Sequence, residues 1–224
     1  MRLFKGLTLV AAMATVCVAP ARATVVVDAF TISQLTTLTG VGISSNTASG
    51  AGILGGTRTQ TVSLDVVPPF AAGVASAGSP SGVFSGSFTG VNSPVGGSYF
   101  DLSYKTSAIN AAAGNDGIYF TASSQAGSVV TITANGTSTA TVTVPDGVGF
   151  SNYFVSLASF TNPSVFSALT SLDIKAVFPN VSGSGPSLTF TGPILISAIP
   201  EPSVLALSSV AFLALGSLRL RRKS

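Results

Sequence analysis

The stretch "SVVTITANGTSTATVTVP", residues 128–145, narrows the fold of this chain more than any other part of it. Val130 and Ile132 stand two apart, Ala140, Val142 and Val144 repeat the spacing after an Asn-Gly pair, and threonines fill the gaps. A helix would scatter that pattern around its circumference, whereas a strand sends alternate residues to opposite faces. The segment reads as a β-hairpin with one apolar and one threonine face. A two-residue turn at Asn135-Gly136 would pair Val130 with Thr141 and set apolar against polar. A three-residue loop, Ala134-Asn135-Gly136, pairs Val130 with Ala140 and places glycine where left-handed backbone is needed, so it is the expected turn. Thr131, Thr133, Thr139, Thr141 and Thr143 then form a polar β-branched face suited to solvent or to a hydroxyl-rich ligand.

The same rhythm recurs between Gly, Pro, Asn and Asp clusters. Strands are expected near 25–32, 59–66, 82–90, 97–104, 117–122, 128–133, 137–144, 152–158, 171–178 and 187–198, the pattern of an all-β, antiparallel sandwich or barrel. Serine, threonine and glycine make up about two-fifths of residues 24–199, and Glu is absent from them. "PPFAAGVASAGSPSG" (68–82) and "SGSGPS" (182–187) read as loops, and neither divides the body, so one domain is expected over 24–199. No fixed-period repeat is visible, which argues against a solenoid or propeller.

Both ends carry address signals. Arg2 and Lys5 precede the apolar stretch from Leu7 to Ala19, and Ala21 and Ala23 are the small residues a signal peptidase reads, so residues 1–23 are expected to leave as a signal peptide before Thr24. The apolar stretch is shorter than the roughly 20 residues a spanning helix needs. Without the ends, three cations (Arg58, Lys105, Lys175) face six aspartates, a net charge of −3, although the whole chain carries +3. No basic surface is left for nucleic acid. The single cysteine, Cys17, leaves with the signal, so the exported domain has no disulfide and no thiolate metal site.

At the other end, Ser203 to Leu218 carries no charge, and at ~1.5 Å per residue it reaches about 24 Å as a helix. Arg219, Arg221, Arg222 and Lys223 snorkel to complete a transmembrane span, stay cytoplasmic by the positive-inside rule, and leave the body outside. Pro200 and Pro202 keep that helix from extending outward. "IPEPS" followed by the apolar run and "RLRRKS" resembles the PEP-CTERM signal of bacterial exported proteins, with Pro200, Glu201 and Pro202 on the recognition motif. The resemblance covers about 26 residues. It implies an inner-membrane intermediate, processing by exosortase, a membrane-embedded transpeptidase-like enzyme, and a place at the cell surface or in the matrix with exopolysaccharide and biofilm. In the body, "GGSYFDLSYKTS", "NDGIYFTASS", "YFVSLASFTNPSVFSALTSLDIKAVF" and "SLTFTGPILIS" are similar to the later strands of jelly-roll sandwiches with this tail, which share the architecture of carbohydrate-binding modules. That implies a jelly-roll-like sandwich over 24–199, a signal at 1–23 and a sorting tail at 200–224.

Residues 24–199 lack His, Cys and Glu, so Ser-His-Asp and Cys-His nucleophiles and glutamate acids are excluded. No catalytic residue is assigned and no enzyme is expected. An aspartate pair in a polysaccharide hydrolase is the distant alternative. Asp101, Asp116 and Asp146 are candidate calcium ligands, hard oxygens beside backbone carbonyls, against the plainer reading of turn and cap residues; no other cofactor is expected. Tyr99, Tyr104, Tyr119 and Tyr153 are the candidate glycan contacts, against the plainer reading of packing. The leading function is a non-catalytic matrix or surface protein. The alternative is a carbohydrate-binding module with a discrete site, its partner an extracellular polysaccharide.

Overall fold

The computed structural model describes residues 24–65, 72–78, 82–89, 97–178 and 185–198. Thirteen strands are found among them: β1 Val25–Asp28, β2 Gln34–Thr39, β3 Gly42–Ser49, β4 Thr57–Leu64, β5 Ala72–Gly78, β6 Val83–Thr89, β7 Tyr99–Ile109, β8 Gly117–Gln125, β9 Ser128–Ala134, β10 Ser138–Val144, β11 Ser151–Ser156, β12 Leu169–Val177 and β13 Ser187–Ser197. Two antiparallel sheets form a jelly-roll-like sandwich, as expected. The first runs β11-β8-β13-β6-β5-β2, with β1 also on β13, and the second β10-β9-β12-β7-β4-β3. Ala23–Ser197 forms one compact unit. The signal and sorting-tail readings lie outside the described residues. Among the described residues, no helix is long and apolar enough to cross a membrane.

Alternation decides which face is buried. In β9 every second residue from Ser128 to Ala134 is buried, and in β12 Leu172, Ile174 and Ala176 are. Phenylalanine fills the space between the sheets. Phe88 and Phe100 stack at 4.4 Å, and Phe178 meets both edge-on at 5.9 and 5.8 Å. Each ring so buried contributes on the order of 2–3 kcal/mol. The stack fits because Gly73 and Gly86 leave room for it. A Cβ on Gly73 would stand 2.8 Å from the Phe88 ring, and one on Gly86 2.6 Å from Phe100.

Several strands depart from the sequence expectation. "QLTTLT" and "GISSNTAS" form β2 and β3, and the reading of 68–82 as a loop is corrected, because 72–78 is β5 between β6 and β2. Its Ala and Gly residues give no apolar signal, yet Gly73, Ala75 and Ala77 are its buried row beneath the Phe rings. The first strand stops at Asp28 rather than running to residue 32. There Asp28 Oδ1 accepts a bond from Phe30 N at 2.7 Å, and Phe30 takes φ +50°.

The β9–β10 hairpin has a three-residue loop, but it is Asn135-Gly136-Thr137, and Val130 faces Val142 rather than Ala140. The apolar and threonine faces are unchanged, since the shift is two residues. The register is set from outside the hairpin. Asn135 Oδ1 accepts bonds from Thr170 N and Ser171 N at 2.7 and 3.1 Å, its Nδ2 donates to Ala168 O at 3.0 Å, and it holds φ +50°. Ala134 is thereby kept in the strand with its methyl buried.

A buried ion pair joins the sheets. Arg58 on β4, fully buried, donates to Asp28 Oδ2 at 2.7 Å, to Gln34 Oε1 at 2.7 Å and to Ile32 O at 2.9 Å. Tyr104 OH donates to the same Asp28 oxygen at 3.0 Å. Every arm of the guanidinium is satisfied, which buried charge requires.

Candidate functional site

The outer face of the second sheet brings charged, aromatic and hydroxyl side chains together. The strand pairings set its residues in rows across six strands. One row is Thr139, Thr133, Asp173, Ser103, Thr59 and Thr47; the next is Thr141, Thr131, Lys175, Asp101, Thr61 and Ser45. A third brings Val129, Val177, Tyr99 and Ser63 together. At ~4.8 Å between strands each full row is about 24 Å long. The β3 and β4 hydroxyls bond across the ladder, Ser45 with Thr61 at 2.9 Å and Thr47 with Thr59 at 3.2 Å.

Charge gathers at the centre of these rows. Asp101 lies directly opposite Lys175, and Asp173 lies one step along β12 on the same face. The ammonium of Lys175 sits 3.7 Å from the centroid of the Tyr99 ring. Asp101 Oδ1 is buried and has no hydrogen-bond partner. Burial, with the negative charge of Asp173 added, pushes the Asp101 carboxyl from 3.8 up to about 7, and Lys175 offsets part of that rise. A half-covered carboxyl beside a second one is the kind of group that a ligand's donors can complete.

The four candidate tyrosines occupy four surroundings. Tyr99 is half-buried on this face. Tyr104 is not a glycan contact: it is wholly buried, bonded to Asp28, and its hydroxyl pKa is pushed well above the usual value by burial and by Asp28. Tyr119 lies on the outer face of the first sheet, in an apolar row with Val26, Leu195 and Phe154. Tyr153, on edge strand β11, stacks on Phe120 at 5.4 Å, and burial raises its pKa. The candidate site gains only Tyr99 from the four.

The three candidate calcium ligands are not brought together. Asp101 is on β7, while Asp116 precedes β8 and Asp146 bridges Ser124 near its far end, about 27 Å away along the strand. Asp146 Oδ1 accepts a bond from Ala126 N at 2.7 Å and so caps the β8–β9 turn. Among the described residues, no three His, Cys, Asp or Glu side chains are grouped for a metal.

Sequence reasoning missed Asp173, Lys175 and the β4 threonines. "TRTQT" and "SLDIKA" alternate as the hairpin does, and pairing β4, β7, β12 and β9 by parity would have placed them all on one face.

The described residues thus define an antiparallel β-sandwich with one polar sheet face that bears an aromatic ring. No family model matches the chain, and neither does any curated protein. Among solved structures the chain is similar to the family 11 carbohydrate-binding module from Clostridium thermocellum in complex with a β-1,3-1,4-mixed-linked tetrasaccharide, at 12% identity and TM-score 0.39, over 80% of this chain and 99% of that one. It is also similar to a family 29 carbohydrate-binding module, at 7% identity and TM-score 0.36, over 76% and 95% of the two chains. At such identities the likeness is one of strand arrangement and reaches no further.

Proposed function

We propose that this chain is an exported, non-catalytic glycan-binding protein of the cell surface or extracellular matrix, with its sugar site on the outer face of the second sheet. One observation carries the reading: Asp101, Asp173 and Lys175 stand at the centre of two rows of Ser and Thr hydroxyls, with the Tyr99 ring beside them in the next row. A pyranose has an apolar face that an aromatic ring covers and a rim of hydroxyls that carboxylates and hydroxyls bond. Rows about 24 Å long suit several linked sugars. The cell's own exopolysaccharide is the partner this reading names.

Calorimetry of residues 24–199 against exopolysaccharide from the producing cells tests it. Saturable binding is expected. Tyr99→Ala should weaken it about tenfold or more with Tm unchanged, whereas Tyr119→Ala should leave affinity as it was. Equal losses from both would remove the site from this face. Weak, unsaturable attachment would favour a structural matrix component, a reading supported by hydroxyl rows on the first sheet as well, such as Ser123, Thr189, Ser85 and Ser76. Release of reducing ends would make Asp101 and Asp173 an acid–base pair and overturn both.

Display outside the cell is the second half of the proposal. It rests on the signal at 1–23 and on the tail, with its Pro-Glu-Pro at Pro200, Glu201 and Pro202, its apolar run and its basic end. Signal peptidase and exosortase are the processing partners this reading names.

A further inference from the structure

Asp101 and Lys175 are direct cross-strand partners, the arrangement in which an ion pair ordinarily forms. Here the ammonium lies instead on the ring of Tyr99, one step along β7 on the same face, and a carboxylate oxygen of Asp101 is buried without a donor. The face therefore holds a carboxylate oxygen without a donor and a ring under the one cation that stands beside both. Lys175 reaches both from one backbone position, because Tyr99 is paired with Val177 and Asp101 with Lys175 itself. A sugar ring that stacks on Tyr99 must take the place the ammonium now occupies.

We propose that Lys175 is the moving part of the glycan site, covering Tyr99 while the face is empty and transferring to the Asp101 carboxylate when a sugar ring displaces it. The inference rests on the glycan reading above and names the residue that couples occupancy to charge. No bond is made or broken except that of a proton. In the empty state Asp101, held near 7, is about half protonated at neutral pH; in the occupied state the ammonium beside it favours the carboxylate, and the proton leaves to solvent. The groups that face Asp101 are few. β12 brings Lys175 and Asp173, and its own strand brings Tyr99 and the exposed Lys105. β4 brings Thr61, Thr59 and Ser63, none of which titrates in this range, and on the inner side of the sheet lie Tyr104, Asp28 and Arg58.

Occupancy that releases a proton is favoured as pH rises, up to the point where the empty site has already lost it. Affinity of residues 24–199, which hold both sheets complete, is measured for the producing cell's exopolysaccharide at pH 6 and pH 8. Binding about tenfold tighter at pH 8 is expected, the change in the deprotonated fraction of a group that titrates at 7. In Asp101→Asn the difference should vanish. In Lys175→Met it should vanish as well, whatever the affinity at pH 8, because no cation arrives to expel the proton. Saturable binding with equal affinity at the two pH values overturns the proposal and leaves the glycan site standing. So does a pH dependence that survives Lys175→Met, which would mean that the sugar itself contacts Asp101. No binding at either pH overturns the glycan reading and this proposal with it.

Discussion

Two aspartates show how differently the same side chain is treated within one sandwich. Asp28 is buried and fully answered, by Arg58, by Tyr104 and by the backbone of Phe30, so its charge is held in place. Removing one partner from such a pair leaves the other uncompensated: Arg58→Met should cost about 3–5 kcal/mol in urea unfolding. A loss under about 1 kcal/mol would mean that the pair adds little to the stability of the fold. Asp101 has a buried oxygen with no hydrogen-bond partner, and its folded carboxyl holds a proton more tightly than the unfolded one. Its contribution is therefore most favourable below pH 4, declines as pH rises toward about 7 and is level above. Asp101→Asn should raise Tm at pH 8 by roughly 4–8 °C, corresponding to about 2 kcal/mol after allowance for partial exposure, and should leave it unchanged at pH 4. The same increment at both pH values would trace the effect to packing rather than charge.

Elements with strong alternation were legible in the chain, and those built of small residues were not. β9, β10 and β12 declare themselves through Val, Ile and Leu at every second position. β5 has the same alternation written in Gly and Ala, and the reason nothing larger stands at Gly73 is the Val62 side chain across the sandwich together with the Phe88 ring beside it on β6. The hairpin turn failed for a related reason. Its loop length followed from parity, but its position followed from Asn135 binding the start of β12, a contact 33 to 36 residues away. Asn135→Ala would lose those bonds and place alanine at positive φ, so a loss of about 2 kcal/mol is expected in urea unfolding. A loss within 0.5 kcal/mol, on the order of an ordinary surface change, would show that Gly136 alone sets the turn. For the site, Tyr99 and Asp101 were singled out by type, while Asp173 and Lys175 needed the strand order to become their neighbours.

At the scale of the molecule, strand order decides which chemistry meets and which stays apart. The pairing of β12 with both β7 and β9 collects hydroxyls from six strands on one surface, while the buried network sits on the other side of the same sheet. The sorting reading belongs to this scale too. Glu201→Ala in producing cells should cause the unprocessed chain to accumulate in the membrane fraction, and unchanged mass and unchanged release would remove exosortase from the account. β13 has a further consequence. It lies between β8 and β6, takes β1 along its second half beyond the irregularity near Gly192 and Pro193, and is the last of the described strands. Synthesis runs from the amino end, so three strands must wait, edges bare, for the one made last. The described sandwich therefore stays open until its last strand has been made, and the latch that shuts it is the segment that enters it last.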